Sequence, residues 1–197
     1  MKKGELTRER IIRQAAPLFN QRGYDGSSLN EIMAATNLEK GGIYRHFASK
    51  QELAAEAFDY AWAEVVKARR HDLGSVENSV DKLKQFIANF VERRGMVPGG
   101  CPLLNTAMDS DDGNPVLRTR ARKALEGWQS FLGGIIARGI RQREIKGDVP
   151  KAMLANLVIA TLEGAVMISR LEQSAEPLRQ AQVHLNNYLE TAVRLTD

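Results

Sequence analysis

The chain has 197 residues, 43% of them hydrophobic and 26% charged, a balance that supports a folded core and excludes a disordered or collagen-like chain. One cysteine excludes an intramolecular disulfide framework and a cysteine-only zinc site, and it suits a reducing compartment. The net charge of +4 is unevenly placed: residues 1–50 hold nine Lys/Arg against five Asp/Glu and the remainder balances, as expected of an anion-binding module on a neutral body.

Residues 1–13 carry charge throughout and offer no apolar stretch of the kind that opens a secretory leader. The longest apolar run, 152–169, is interrupted by Asn156, Thr161 and Glu163. Neither export nor a membrane span is expected, and the cytoplasm is the expected location. Helical periodicity recurs along the chain without strand-like alternation, so the fold class is all-α.

In chain order, a first helix is expected over about 7–22, with Ile12, Ala15, Ala16 and Phe19 on one stripe, Gly23 as its stop and Pro17 kinking its last turn. Ser28-Leu29-Asn30-Glu31 is a capping box that opens a short helix ending near Thr36-Asn37. A third helix is expected over about 39–47. Ser49-Lys50-Gln51-Glu52 offers a second capping box for a long helix through Phe58 and Trp62 to about residue 70. A helix over 79–94 follows, then a Gly/Pro-rich loop at 95–102, a short helix at 103–108 and a polar turn at 109–114. That turn has a faint likeness to a calcium loop, but Gly113 falls one place late and Arg120 stands where a closing glutamate is needed, so no metal is expected.

Pro115 opens a long helix with a stripe at Leu117, Ala121, Ala124, Trp128, Phe131 and Ile135. The basic run Arg118, Arg120, Arg122, Lys123 reads as a solvated face. After a break at 147–150, the helix over 152–169 carries a single charge, Glu163, and is expected to be buried on most faces. An amphipathic helix over about 177–195 closes the chain. The expected organisation is a three-helix domain over 1–48 and a larger helical domain over 49–197, with 49–71 as the connecting helix.

Chemistry concentrates in the third helix. At 100° per residue, Ile43 and Phe47 define its buried side, Arg45 lies opposite with Gly41 and Gly42 beside it, and Tyr44 and His46 sit on the flanks. An interior glycine costs a helix about 1 kcal/mol relative to alanine, so two in so short a helix ask for a compensating reason, such as close approach of the backbone to a partner surface. With the preceding helix, which turns Leu29, Ile32 and Met33 inward and Asn30 outward, this forms a helix-turn-helix. In that arrangement Arg45 would reach guanine in the major groove, while Tyr44, His46 and Lys50 would hold phosphates. Residue by residue, plain packing of Tyr44, His46 and Phe47 between helices stays open.

The ordered combination Gly23-Tyr24, Ser27-Ser28-Leu29, Ile32, Leu38, Lys40-Gly41, Tyr44, His46-Phe47 and Lys50 resembles the DNA-binding domain of the TetR family of bacterial transcriptional regulators, over about residues 7–55. The Lys-Gly-x-x-Tyr-x-His-Phe core is the specific part. The resemblance implies a homodimer that binds a pseudo-palindromic double-stranded DNA operator, acts as a repressor, and lets go when a small-molecule effector occupies the C-terminal domain. It implies phosphate contacts at Ser28, Tyr44, His46 and Lys50, a groove border at Lys40, Gly41 and Gly42, and base reading by Asn30 and Arg45. Asn37 stands where the family commonly has glycine, and asparagine tolerates the left-handed turn required there.

No cofactor is expected. The candidate effector-pocket residues are Trp62, Phe90, Cys101, Met108, Trp128, Glu163 and Met167, although residues at such helical spacing also make plain core. Glu163 is the most telling of them, because a buried carboxylate requires a partner. Cys101 has two readings. It is a small apolar residue under its loop, or, since Gly-Cys-Pro-Leu-Leu-Asn is similar to a segment in family branches that sense oxidants or electrophiles, a redox sensor. A cysteine-dependent enzyme built on Cys101 is the alternative from another class, with no oriented histidine to support it. The two final long helices are the expected dimer surface.

Overall fold

A computed structural model describes residues 3–93, 97–110 and 113–196. Among these, regular structure is helical: α1 (Lys3–Arg22), α2 (Leu29–Thr36), α3 (Lys40–Tyr44), α4 (Lys50–Arg69), α5 (Ser79–Glu92), α6 (Pro102–Asp109), α7 (Pro115–Arg141), α8 (Lys151–Leu171) and α9 (Glu176–Tyr188), with one isolated antiparallel bridge between Ile145 and Arg194. The chain forms two compact units, Met1–Val65 with Gly95–Ala124, and Val66–Arg94 with Leu125–Asp197. Asp111 and Asp112 of the calcium-like turn and Gly95 and Met96 of the expected loop lie outside the described residues.

In the first unit, α1 starts at Lys3 rather than Thr7 and runs through Pro17, whose neighbours Ala15 and Ala16 are buried and hold the turn in place. It stops where expected. The Gly23 N–H donates to Phe19 O at 3.0 Å, and Gly23 takes φ +73°, where a Cβ would also stand 2.4 Å from the Asp109 carboxylate. Only glycine meets both demands. Ile11 and Ala15 of α1 pack with Ile32 of α2, Ile43 of α3, Leu53 of α4 and Phe47 between α3 and α4 into a core that fixes how α2 and α3 sit. The segment after residue 96 is tied to α1 by two amides: Asn105 Nδ2 donates to Asn20 O at 2.9 Å and to Gly99 O at 2.8 Å, and Asn20 Nδ2 donates to Pro98 O at 2.9 Å and to Gly100 O at 3.2 Å.

In the second unit, α5 is capped by Asn78, which accepts from the Val80 and Asp81 N–H groups, and it buries Val80, Leu83, Phe86, Ile87 and Phe90. The expectation that the apolar 152–169 helix is buried on most faces is overturned. α8 buries Leu154, Ala155, Val158, Ile159, Leu162, Glu163 and Ala165, yet Met153, Leu157, Met167, Ile168 and Leu171 are exposed, Leu171 by 79%. Among the described residues, nothing covers that face.

The last helix is also shorter than its periodicity suggests. After Tyr188 the chain widens into a π-helical turn, Leu189–Val193, because Arg194 N–H bonds to Leu189 O at 2.8 Å while Lys146 N–H takes Val193 O at 3.0 Å. Arg194 and Lys84 both grip Glu190, and Arg194 also reaches Asp81. Hydrogen bonds from Arg194 and then Lys84 hold the Glu190 carboxyl down at about 2, against an ordinary 4.5. A carboxylate with a depressed folded-state pKa stabilises fully above its unfolded value and loses that contribution as pH falls towards the folded one. Thermal melts between about pH 7 and about pH 2 are expected to show less acid-limb destabilisation in Glu190→Gln than in the parent. An unchanged slope would mean the clamp contributes nothing, as exposed pairs often do.

Candidate functional site

The Ser28 capping box is complete. Glu31 N–H donates to Ser28 Oγ at 3.3 Å and Ser28 N–H donates to the Glu31 carboxylate at 2.8 Å, and Arg22 pairs with the same carboxylate. α2 ends on Asn37 in the left-handed conformation, φ 50°, ψ 45°, with Leu38 N–H closing onto Met33 O at 3.2 Å. This is the tight turn that a helix-turn-helix requires.

The next helix is shorter than the periodicity over 39–47 suggests. Regular α-helix ends at Tyr44, since His46 N–H closes onto Ile43 O at 2.9 Å and tightens the final turn. Ile43 and Phe47 nonetheless stay on the buried side, each 1% exposed. Lys40, Gly41, Tyr44 and Arg45 are exposed, Gly42 and His46 half-buried, and Ser28 and Asn30 exposed at the start of α2. A Cβ at Gly41 would meet nothing within 4 Å, and one at Gly42 only the Leu38 side chain at an ordinary 3.5 Å. Among the described residues, therefore, none asks for glycine at 41.

Lys50 is partly engaged from within. Its Nζ donates to Tyr24 O at 2.5 Å and lies 4.3 Å from the centre of the Tyr24 ring. The second capping box is altered: Glu52 N–H donates to Ser49 Oγ at 3.1 Å, but the Glu52 carboxylate takes the N–H of Ala48 at 2.6 Å. Tyr24 belongs to this group and was visible only as part of the Gly-Tyr pair. Burial first, then the charges of Asp25 and Tyr44, raise its phenol above the ordinary value. The Tyr24 N–H is held by Asp109 of α6 at 2.8 Å, a contact with no signal in the sequence.

Two family models match this chain: residues 11–57 fit "Bacterial regulatory proteins, tetR family" and residues 79–185 fit "Tetracyclin repressor-like, C-terminal domain". A TetR transcriptional regulator from Chloroflexus aurantiacus J-10-FL superposes with a TM-score of 0.94 at 47% identity, over 100% of both chains. The chain belongs to the TetR family of bacterial transcriptional regulators. A second TetR family regulator, from Cytophaga hutchinsonii, superposes at 0.93 with 32% identity over 100% of this chain and 99% of that one. The HTH-type transcriptional repressor DhaR of Mycobacterium sp. strain GP1 is 26% identical over 88% of this chain and 87% of its own. TetR family regulators bind operator DNA and typically act as dimers.

The candidate effector residues divide between the two compact units. In the first, Trp62 is half-buried, Cys101 is 5% exposed at the N-cap of α6, and Met108 stands 75% exposed on that helix. In the second, Phe90, Trp128 and Glu163 are buried, and Met167 is 53% exposed on the outer face of α8. What brings three of them together is a residue that the sequence reading did not single out. The Arg69 guanidinium lies 4.1 Å from the centre of the Phe90 ring and 4.4 Å from that of Trp128, and Nη2 reaches Glu163 Oε1 at 3.5 Å. Glu163 thus has an arginine partner within its own unit.

Proposed function

We propose that this TetR family regulator is a repressor that reads a pseudo-palindromic operator as a homodimer and releases it when a small-molecule effector binds. Residues 1–48 dock on the duplex and residues 49–197 hold effector and partner, with 49–71 as the connecting helix. The operator places the work in the cytoplasm, and no catalytic step is required of the chain. Exposed apolar side chains along α8, with Val183 of α9, supply the surface for the second copy.

One observation carries the DNA reading: α3 exposes bare backbone at Gly41 beside Arg45, over a side buried by Ile43 and Phe47. A helix loses stability through such glycines unless a surface comes close to them. A duplex major groove is wide enough to admit a helix and carries the acceptors that an arginine reads. Ser28, Tyr44, His46 and Lys50 then hold phosphates, Lys40, Gly41 and Gly42 border the groove, and Asn30 and Arg45 face bases.

The test uses operators selected from random DNA, with binding measured across salt concentrations. Arg45→Ala is expected to lose about 1–3 kcal/mol of discrimination at one base pair of each half-site. Lys50→Ala weakens matched and scrambled DNA alike and lowers the salt slope by about one. Gly41→Ala leaves the fold intact and stabilises it by up to about 1 kcal/mol, while binding falls. Equal losses for Arg45→Ala and Lys50→Ala on matched and scrambled DNA, or full binding by Gly41→Ala, would overturn the assigned roles.

A further inference from the structure

Phe90 of α5 and Trp128 of α7 lie with ring centres 5.9 Å apart and planes 19° from parallel. Phe86 packs against Trp128 at 6.1 Å and fixes that ring from behind. The two π-faces meet one guanidinium, and the Glu163 carboxylate approaches the same group. All four participants are buried: Arg69 and Phe90 are 7% exposed, Trp128 4% and Glu163 8%. Aromatic faces and a desolvated carboxylate are the parts from which receptors for organic cations are built.

The occupant is a single side chain. Arg69 closes α4, and its backbone is pinned independently of its head group, since Asn89 Nδ2 donates to Arg69 O at 3.1 Å and to His71 O at 2.8 Å. The guanidinium can therefore leave while the chain that carries it stays in place. The next residue, Arg70, already places its guanidinium 3.9 Å from the Phe131 ring while remaining exposed, so a stacked arginine at the rim is a conformation this neighbourhood supports.

We propose that Phe90, Trp128 and Glu163 form the receptor for a small planar organic cation, and that Arg69 is a tethered competitor which holds the receptor shut until such a cation displaces it. The proposal rests on the effector-controlled reading above and names the chemical class of the effector. A cation exchanges like for like: it inherits the ring faces and the carboxylate that the guanidinium gives up. An anion would have to meet the negative ring faces and the Glu163 carboxylate. A tethered competitor acts at an effective concentration of about millimolar, so weak adventitious cations fail to displace it.

The full-length protein is titrated with phenylguanidinium, and with neutral phenylurea as its isostere, by calorimetry and thermal melting. In Arg69→Ala the competitor is gone and the carboxylate no longer faces this guanidinium. The variant is expected to bind phenylguanidinium at least tenfold more tightly than the parent and to gain melting temperature from it but not from phenylurea. Arg69→Ala/Glu163→Gln is expected to lose that selectivity. If Arg69→Ala does not fold by itself, phenylguanidinium restores it and phenylurea does not. Failure of the cation to bind or restore Arg69→Ala, or equal response to both compounds, overturns the receptor. A gel shift on the selected operator separates the underlying reading from this one. Cation binding that leaves the operator complex intact rejects effector control while keeping the receptor, and absence of any operator binding by the unliganded parent rejects the regulator reading itself.

Discussion

Phe47→Ala is expected to unfold the helix-turn-helix, with a loss of about 3–5 kcal/mol out of a total that for most domains is about 5–15 kcal/mol. The ring is 1% exposed and packs with Ile11, Ala15, Ile32, Ile43 and Leu53, which come from α1, α2, α3 and α4. Among the buried members of this core Ala15 is already minimal and the others are branched, so only the partly buried side chains at its edge, such as Met33, can shift towards the space. The Arg8 guanidinium, 4.6 Å from the ring centre, would lose its π-face, although its ion pairs with Glu52 and Glu56 remain. Tyr44→Ala, three residues earlier, removes a ring from the exposed side and is expected to change stability by no more than about 0.5 kcal/mol. Urea denaturation followed by helical signal checks both. A small effect at Phe47 would mean that α3 is not held by this core, and the geometry assigned to the recognition face would go with it.

The second large effect lies at Glu163. Glu163→Leu leaves the Arg69 charge buried without its carboxylate, and breaking such a pair from one side costs about 3–5 kcal/mol. The companion change Arg69→Met removes the guanidinium charge and puts a flexible apolar side chain in its place beside Phe90 and Trp128. The double variant is therefore expected to recover to near the parent, or above it, since replacing a buried pair by packed apolar groups is often neutral or stabilising. A double-mutant cycle on urea midpoints reads the coupling directly. Additive losses would show that the two charges are solvated separately.

Helix positions were legible because they follow from local chemistry. Ser28 and Glu31 sit three residues apart, Asn37 tolerates a positive φ, and Pro115 starts a helix it could not continue. The set proposed to face DNA draws on the same local chemistry, since apart from Ser28 and Asn30 it lies between Lys40 and Lys50. Arg69 was not legible. Glu163 announces that it needs a cation, but 28 lysines and arginines compete for the role, and the pairing is settled by where the last residue of α4 meets Phe90, Trp128 and Glu163. The outward Met108 and Met167 show the same limit, since apolar character and spacing do not say which side of a helix another helix covers. Nor did periodicity reveal the end of the last helix, because the π-turn is imposed by Lys146 and Arg194, whose pairing is not local.

The amide clamp between Asn20 and Asn105 bears on the one thiol of the chain. Cys101 directly follows Pro98, Gly99 and Gly100, whose carbonyls are the acceptors in that clamp, and Gly99 sits so close to Asn20 that a Cβ there would stand 2.8 Å from its amide. A reagent in solvent meets a cysteine residue that is 5% exposed and must wait for the clamp to open. When reclosing outruns alkylation, the labelling rate divided by that of an unhindered thiol gives the fraction of time the segment spends open. Cys101 thus works as a built-in clock for the seam between α1 and α6, and the count it keeps can be compared with operator bound and operator removed.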